Sequence, residues 1–136
     1  MNTLIVYYSY SGHTKAIAEG LATAQGAALA EVRDAKRPGK FKAYSVGCLA
    51  ALRGKAWPIL PLSADFAACD HLVLLSPVWA GNPPPAVKAA LALLPAGKAV
   101  AVKMISASGE SACRGRIEAA LNAKGCTLEQ FEDVKA

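Results

Sequence analysis

The stretch Leu4-Ile5-Val6-Tyr7-Tyr8-Ser9-Tyr10-Ser11-Gly12-His13-Thr14 constrains the fold of this chain more than any other. An apolar run gives way at once to Ser9, Ser11 and Thr14, with Gly12 among them. A helical pattern follows, with Ala16, Ile17, Gly20, Leu21 and Ala24 on one stripe. The spacing predicts a buried strand, a tight loop and a helix within about 25 residues. The first amides of a helix have no intrahelical partner, and the dipole adds about half a positive charge there. A Ser- and Thr-rich loop whose glycine lets the backbone close in can therefore hold a phosphate by N–H and O–H donors alone.

The same alternation continues along the chain. Gln25-Gly26 closes the first helix, and Ala28 to Val32 reads as a short second strand. Arg33 to Lys40 is a loop, and Tyr44, Cys48, Leu49 and Leu52 then make a modest helical stripe ending at Gly54. Ala56 to Ser63, with Pro58 and Pro61, is expected to be irregular. His71 to Ser76 is a continuous apolar run, suited to a central parallel strand covered on both faces. Pro77 to Asn82 is a loop, and Pro83-Pro84-Pro85 seats a helix from about Ala86 to Leu94. Ala99 to Ile105 is a fourth strand, Ala112 to Lys124 a helix and Thr127 to Val134 a final strand. With no linker or repeat, a single domain over 1–136 is expected.

Such alternation implies parallel pairing and a doubly wound sheet. Ligands bind such sheets outside the carboxyl ends of the strands, where Ser9 to Thr14, Pro77 to Asn82 and Ser106 to Glu110 all lie.

The totals narrow the classes of function. No apolar run reaches the roughly 18 residues needed to span a bilayer. The first residues lack a basic region and cleavage site, so no signal peptide is expected. Cys48, Cys69, Cys113 and Cys126 form no C-x-x-C pair, which fits free thiols in a cytoplasmic protein better than a metal site. Charge is concentrated: Arg33, Lys36, Arg37, Lys40, Lys42, Arg53 and Lys55 stand against Asp34 alone, a local +6, while the rest of the chain sums to −1. This is either a solvated face or a docking patch for an acidic partner or anionic cofactor. Without an aromatic ladder it does not suggest nucleic acid.

The loops exclude several ligands. There is no G-x-x-x-x-G-K-[ST] for a nucleoside triphosphate and no G-x-G-x-x-G for a dinucleotide held in the Rossmann manner. Ser9-Tyr10 and Ser76 stand where a receiver domain needs acidic residues, and the first loop has no cysteine for a low-molecular-weight phosphatase. A mononucleotide with a terminal phosphate and a flat ring remains. Ser9-Tyr10-Ser11-Gly12-His13-Thr14 is similar to the phosphate loop of flavodoxins. Ser76 to Pro84, through Pro77, Val78, Trp79, Ala80, Gly81 and Asn82, resembles their second flavin loop, and Ser106, Ala107, Ser108 and Gly109 match the third by position.

The resemblance implies a flavodoxin-like five-stranded parallel sheet of order 2-1-3-4-5 and FMN as cofactor. It places the phosphate on Ser9, Ser11, His13 and Thr14, with Gly12 in the turn, and Trp79 against the isoalloxazine. Thr14 also reads as a helix cap, Trp79 as core packing, Gly81 as a turn residue, and Tyr10 and His13 as surface residues. Cys113 stands near a helix start, where a thiol pKa falls, but it has no base beside it and reads as structural. No catalytic side chain and no metal ligand is expected, because the flavin performs the electron transfer. The expected function is electron transfer or NAD(P)H:quinone-type oxidoreduction with a redox protein or small-molecule acceptor. The alternative is a flavin-free binding or assembly protein.

Three departures stand out. The chain is basic where electron-carrier flavodoxins are acidic, its third loop has no aromatic residue, and no helix pattern follows strand five. Without that helix, the strand-four face carrying Ala99, Ala101, Lys103 and Ile105 is expected to face solvent or a second subunit.

Overall fold

The computed structural model describes residues 2–136. Five strands form one parallel sheet: β1 Thr3–Tyr7, β2 Ala28–Glu31, β3 His71–Pro77, β4 Ala99–Ser106 and β5 Thr127–Lys135. Their order is β2-β1-β3-β4-β5, the flavodoxin-like arrangement that the alternation and the loop resemblance implied. The helices are α1 His13–Gln25, α2 Lys40–Lys42, α3 Cys48–Leu52, α4 Pro85–Leu91 and α5 Arg114–Ala123. A π-helical turn, Ala43–Gly47, joins α2 to α3. Among the described residues no helix follows β5.

The central strands β1, β3 and β4 alternate their side chains between two cores. Leu4, Val6, Leu72, Leu74, Val100, Val102 and Met104 pack against α4 and α5 through Val87, Leu91, Ile117 and Leu121. On the other face Ile5, Tyr7, Val73, Leu75, Ala101 and Ile105 pack with Ala18 and Ala22 of α1 and with Val134. This corrects the expectation for strand four. Ala101 and Ile105 are buried within a single chain, at 6% and 4% exposure. Lys103 lies 3.3 Å from Glu132 on β5. The face therefore needs no second subunit.

β5 is an edge strand whose register shifts beside Val100/Ala101. The bulge lets Leu128 and Phe131, three apart, both pack toward the α4–α5 core. Exposed charges along the rest of β5 discourage edge pairing.

The segment between β2 and β3 departs most from expectation. The helical structure begins at Lys40 rather than Tyr44, and its buried side is the small one: Ala43, Gly47, Ala50 and Ala51. Tyr44, Leu49 and Leu52, the bulk of the expected stripe, point outward. The reason is steric. Gly47 faces Trp79 so closely that a Cβ there would lie 2.8 Å from Trp79 Cζ3. Only a flat, small-residue face can approach that ring.

Candidate functional site

The strand-to-helix turn after β1 delivers a cluster of donors. Gly12 has φ 102°, which L side chains rarely adopt, and its amide donates to Ser9 Oγ at 3.0 Å. The first intrahelical bond runs from Ala16 N to Gly12 O, so the amides of His13, Thr14 and Lys15 have no acceptor among the described residues. No side chain caps this helix, Thr14 included. Ser11 Oγ and His13 Nδ1 lie 3.3 Å apart at the exposed rim, while Thr14 is buried. Unpaired N–H groups at the positive end of a helix, flanked by two serine hydroxyls, suit a phosphate dianion.

The β3 loop closes as a two-residue turn. Trp79 N donates to Asn82 O at 2.8 Å and Asn82 N returns a bond to Trp79 O at 3.0 Å. Ala80 and Gly81 between them have φ 51° and 79°. Both central residues are left-handed, the pattern of a tight hairpin turn. Ala80 has a Cβ and so stores about 1 kcal/mol of strain there. Asn82 is buried and its Nδ2 donates to Ala80 O, which holds the turn shut.

That turn presents Trp79 to an open cleft of about 740 Å³, lined by Tyr10, Val78, Trp79 and Ala80 on one side and by Lys40, Phe41, Ala43, Tyr44 and Cys48 on the other. The volume is in the range of small-molecule sites. Trp79 is half-buried and fixed on several sides. Tyr8 and Tyr10 meet it edge-on at 6.0 and 5.8 Å between ring centroids, and Gly47 lies against its Cζ3–Cε3 edge. Tyr10 belongs to both the phosphate-type loop and the cleft lining, so the loop borders the cleft.

The strand-four loop stands apart from the cleft lining. Ser106 Oγ accepts from Gly109 N at 3.0 Å, and Ser106 O accepts from Ala136 N at 2.9 Å. Ala112 N reaches Gly81 O at 2.8 Å, so this loop supports the Trp79 turn from behind. Ala107 and Ser108 are exposed.

The basic loop after β2 is strapped to the site, which sequence reasoning missed. Tyr8 donates from its hydroxyl to Asp34 Oδ2 at 2.6 Å, and Tyr10 donates to Pro38 O at 2.8 Å. Arg37 donates to Tyr10 O at 2.8 Å and its guanidinium lies 4.5 Å from the Tyr10 ring centroid. Phe41 and Tyr44, three residues apart on a helix, were the available signal for the far wall of the cleft.

Burial, then the Asp34 carboxylate, pushes the Tyr8 hydroxyl well above its ordinary value of 10. A raised folded-state pKa favours the folded protein while the unfolded tyrosine is still protonated. That contribution is lost as pH climbs above about 10, at up to about 1.4 kcal/mol per pH unit. Urea unfolding at pH 9 and pH 11 should show the loss, and Tyr8→Phe should flatten it. An equally steep loss in Tyr8→Phe would assign the effect to other groups. Burial likewise raises the thiols of Cys48 and Cys113. Cys113 is fully buried beside α5, consistent with a structural thiol.

A flavoprotein of Lactobacillus acidophilus NCFM, solved in complex with FMN, is 26% identical, with a TM-score of 0.69 over 96% of this chain and 91% of its own. The apo form of the flavoprotein from that organism is 27% identical, with a TM-score of 0.70 over 97% and 92%. Oxidised flavodoxin 2 of Bacillus cereus, at 21% identity, shares the fold with a TM-score of 0.56 over 99% of this chain and 84% of its own. No curated protein matches the chain. Residues 8–128, from the first residue past β1 into β5, match the family described as NADPH-dependent FMN reductase. That span takes in the donor-lined turn and the Trp79 cleft, and the chain belongs to the NADPH-dependent FMN reductase family.

Proposed function

We propose that this protein binds FMN and uses it as an NADPH-dependent oxidoreductase rather than as a low-potential electron carrier. The observation that carries the reading is that the turn presenting the unpaired His13–Lys15 amides also lends Tyr10 to the lining of the aromatic cleft. The amides, with Ser9 and Ser11, suit the phosphate, and the cleft suits the flat ring. When bound, FMN supplies the chemistry by accepting a hydride from the nicotinamide, which leaves as NADP+, and by returning two electrons to an acceptor.

The chain's own residues bind and orient. Gly12 lets the backbone turn toward the phosphate, Trp79 gives the ring an apolar face, and the Ala80-Gly81 turn fixes that face. Support for a reductase over a carrier comes from the family and from the net +6 between Arg33 and Lys55 beside the cleft. That field attracts anionic NADPH, and an acidic carrier would lack it. Four free cysteines fit a reducing compartment, and no described helix is long and apolar enough to cross a membrane.

Titration with FMN and with riboflavin tests the site. FMN should bind at least about tenfold more tightly, because only it carries the phosphate that the amides and serines receive. Equal affinities would remove the phosphate role of Ser9 to Thr14. Loaded protein should then oxidise NADPH in the presence of a quinone, whereas a pure carrier would show little turnover.

A further inference from the structure

The segment from Lys40 to Leu52 is amphipathic in the inverted sense. Its alanines and Gly47 face inward, while Phe41 and Tyr44 are 88% and 85% exposed, followed by Leu49 and Leu52. Large apolar side chains grouped on one face of a folded protein mark a surface that binds something. Phe41 and Tyr44 line the same cleft as Trp79 and Tyr10, with Lys40 beside them.

We propose that the Lys40–Tyr44 turn is the second wall of the flavin ring site: Phe41 and Tyr44 close on the ring, and Lys40 sets positive charge next to it. The proposal rests on the FMN reading above and adds to it the element that holds the ring's outer side. A second copy of the chain is the poorer occupant, because self-association here would bring one +6 segment against another. A flat aromatic ring fits a wall built from two aromatic side chains. The strand-four loop, Ser106 to Gly109, supplies no aromatic side chain for this purpose.

The wall is held at both ends and irregular between them. At one end the Tyr8–Asp34, Tyr10–Pro38 and Arg37–Tyr10 bonds anchor the chain just before α2. At the other Gly47 is seated on Trp79. The π-helical turn Ala43–Gly47 adds a residue to the helical repeat between these anchors. Such turns reset the direction of the side chains that precede them, and they recur at functional sites.

Lys40 has no carboxylate partner among the described residues. Two-electron reduction with uptake of one proton leaves the cofactor one unit more negative. A nearby cation therefore stabilises the reduced form more than the oxidised one and raises the potential. Lys40 is exposed, so added salt weakens the effect.

The test uses three variants. Phe41→Ala combined with Tyr44→Ala removes two exposed side chains, so folding should be retained by circular dichroism. It should weaken FMN and riboflavin equally, by about tenfold. Lys40→Gln should lower the midpoint potential by about 30 mV, a tenfold change for a two-electron couple, and Lys40→Arg should restore it. Affinities and potential unchanged from wild type would overturn the proposal while leaving the FMN reading in place. Wild-type protein that takes up neither flavin would overturn both.

Discussion

Trp79→Ala should lower FMN affinity by about 1–3 kcal/mol and destabilise the protein by about 2–4 kcal/mol. The double effect follows from where the indole is held. One part lines the cleft, while Tyr8, Tyr10 and Gly47 pack against the rest. Removing it takes away the ring's apolar face and the surface on which the Ala43–Leu52 helical segment rests. Trp79→Phe should recover much of the stability but less of the affinity, since a smaller ring fills the wedge and covers less flavin. Urea unfolding and FMN titration on the same preparations separate the two. A variant that loses stability yet binds FMN like wild type would make the indole a packing residue alone.

Gly47→Val should destabilise by about 2–4 kcal/mol and weaken flavin binding with it. The Cβ alone would come to 2.8 Å from Trp79 Cζ3 and 3.5 Å from Trp57 Cη2, and two further methyl groups have no space. The helix must lift from the indole, carrying Phe41 and Tyr44 with it. Gly47 has ordinary helical dihedrals, φ −64° and ψ −45°, so backbone strain plays no part in the cost. Gly47→Ala should fall between, and Trp79→Phe in the same chain should relieve part of the penalty. A Gly47→Val protein as stable as wild type would show that the helix does not bear on Trp79 in solution.

Both predictions concern contacts that local pattern does not announce. A glycine in a helix reads as a mild propensity cost. The helical stripe of Tyr44, Cys48, Leu49 and Leu52 reads as a core face by the ordinary rule that bulk goes inward. Here the core-facing partner is an indole edge, which admits only small residues, so the bulky face is turned outward to the cleft and beyond. The strand-four face failed as an expectation for a related reason. Alternation showed correctly that Ala101 and Ile105 share a face, but alternation is silent on what covers it. The α1 helix and Val134 of the edge strand suffice.

What the residues determined alone is the scaffold and its mouth. Apolar runs of strand length between helical stripes leave a parallel, doubly wound sheet as the economical way to bury both faces. Gly12 and the hydroxyls around it mark where a phosphate-type loop must turn, because dihedral limits and unpaired helix amides are local properties. The tertiary structure decided the rest. It brought Lys40, Phe41 and Tyr44 to Trp79, tied Arg37 and Asp34 to the tyrosines after β1, and drew the strand-four loop behind the Trp79 turn. Those residues stand 26 to 39 positions apart in the chain. They are fixed by how side-chain volumes fit once the sheet has formed, and no short-range spacing encodes that fit.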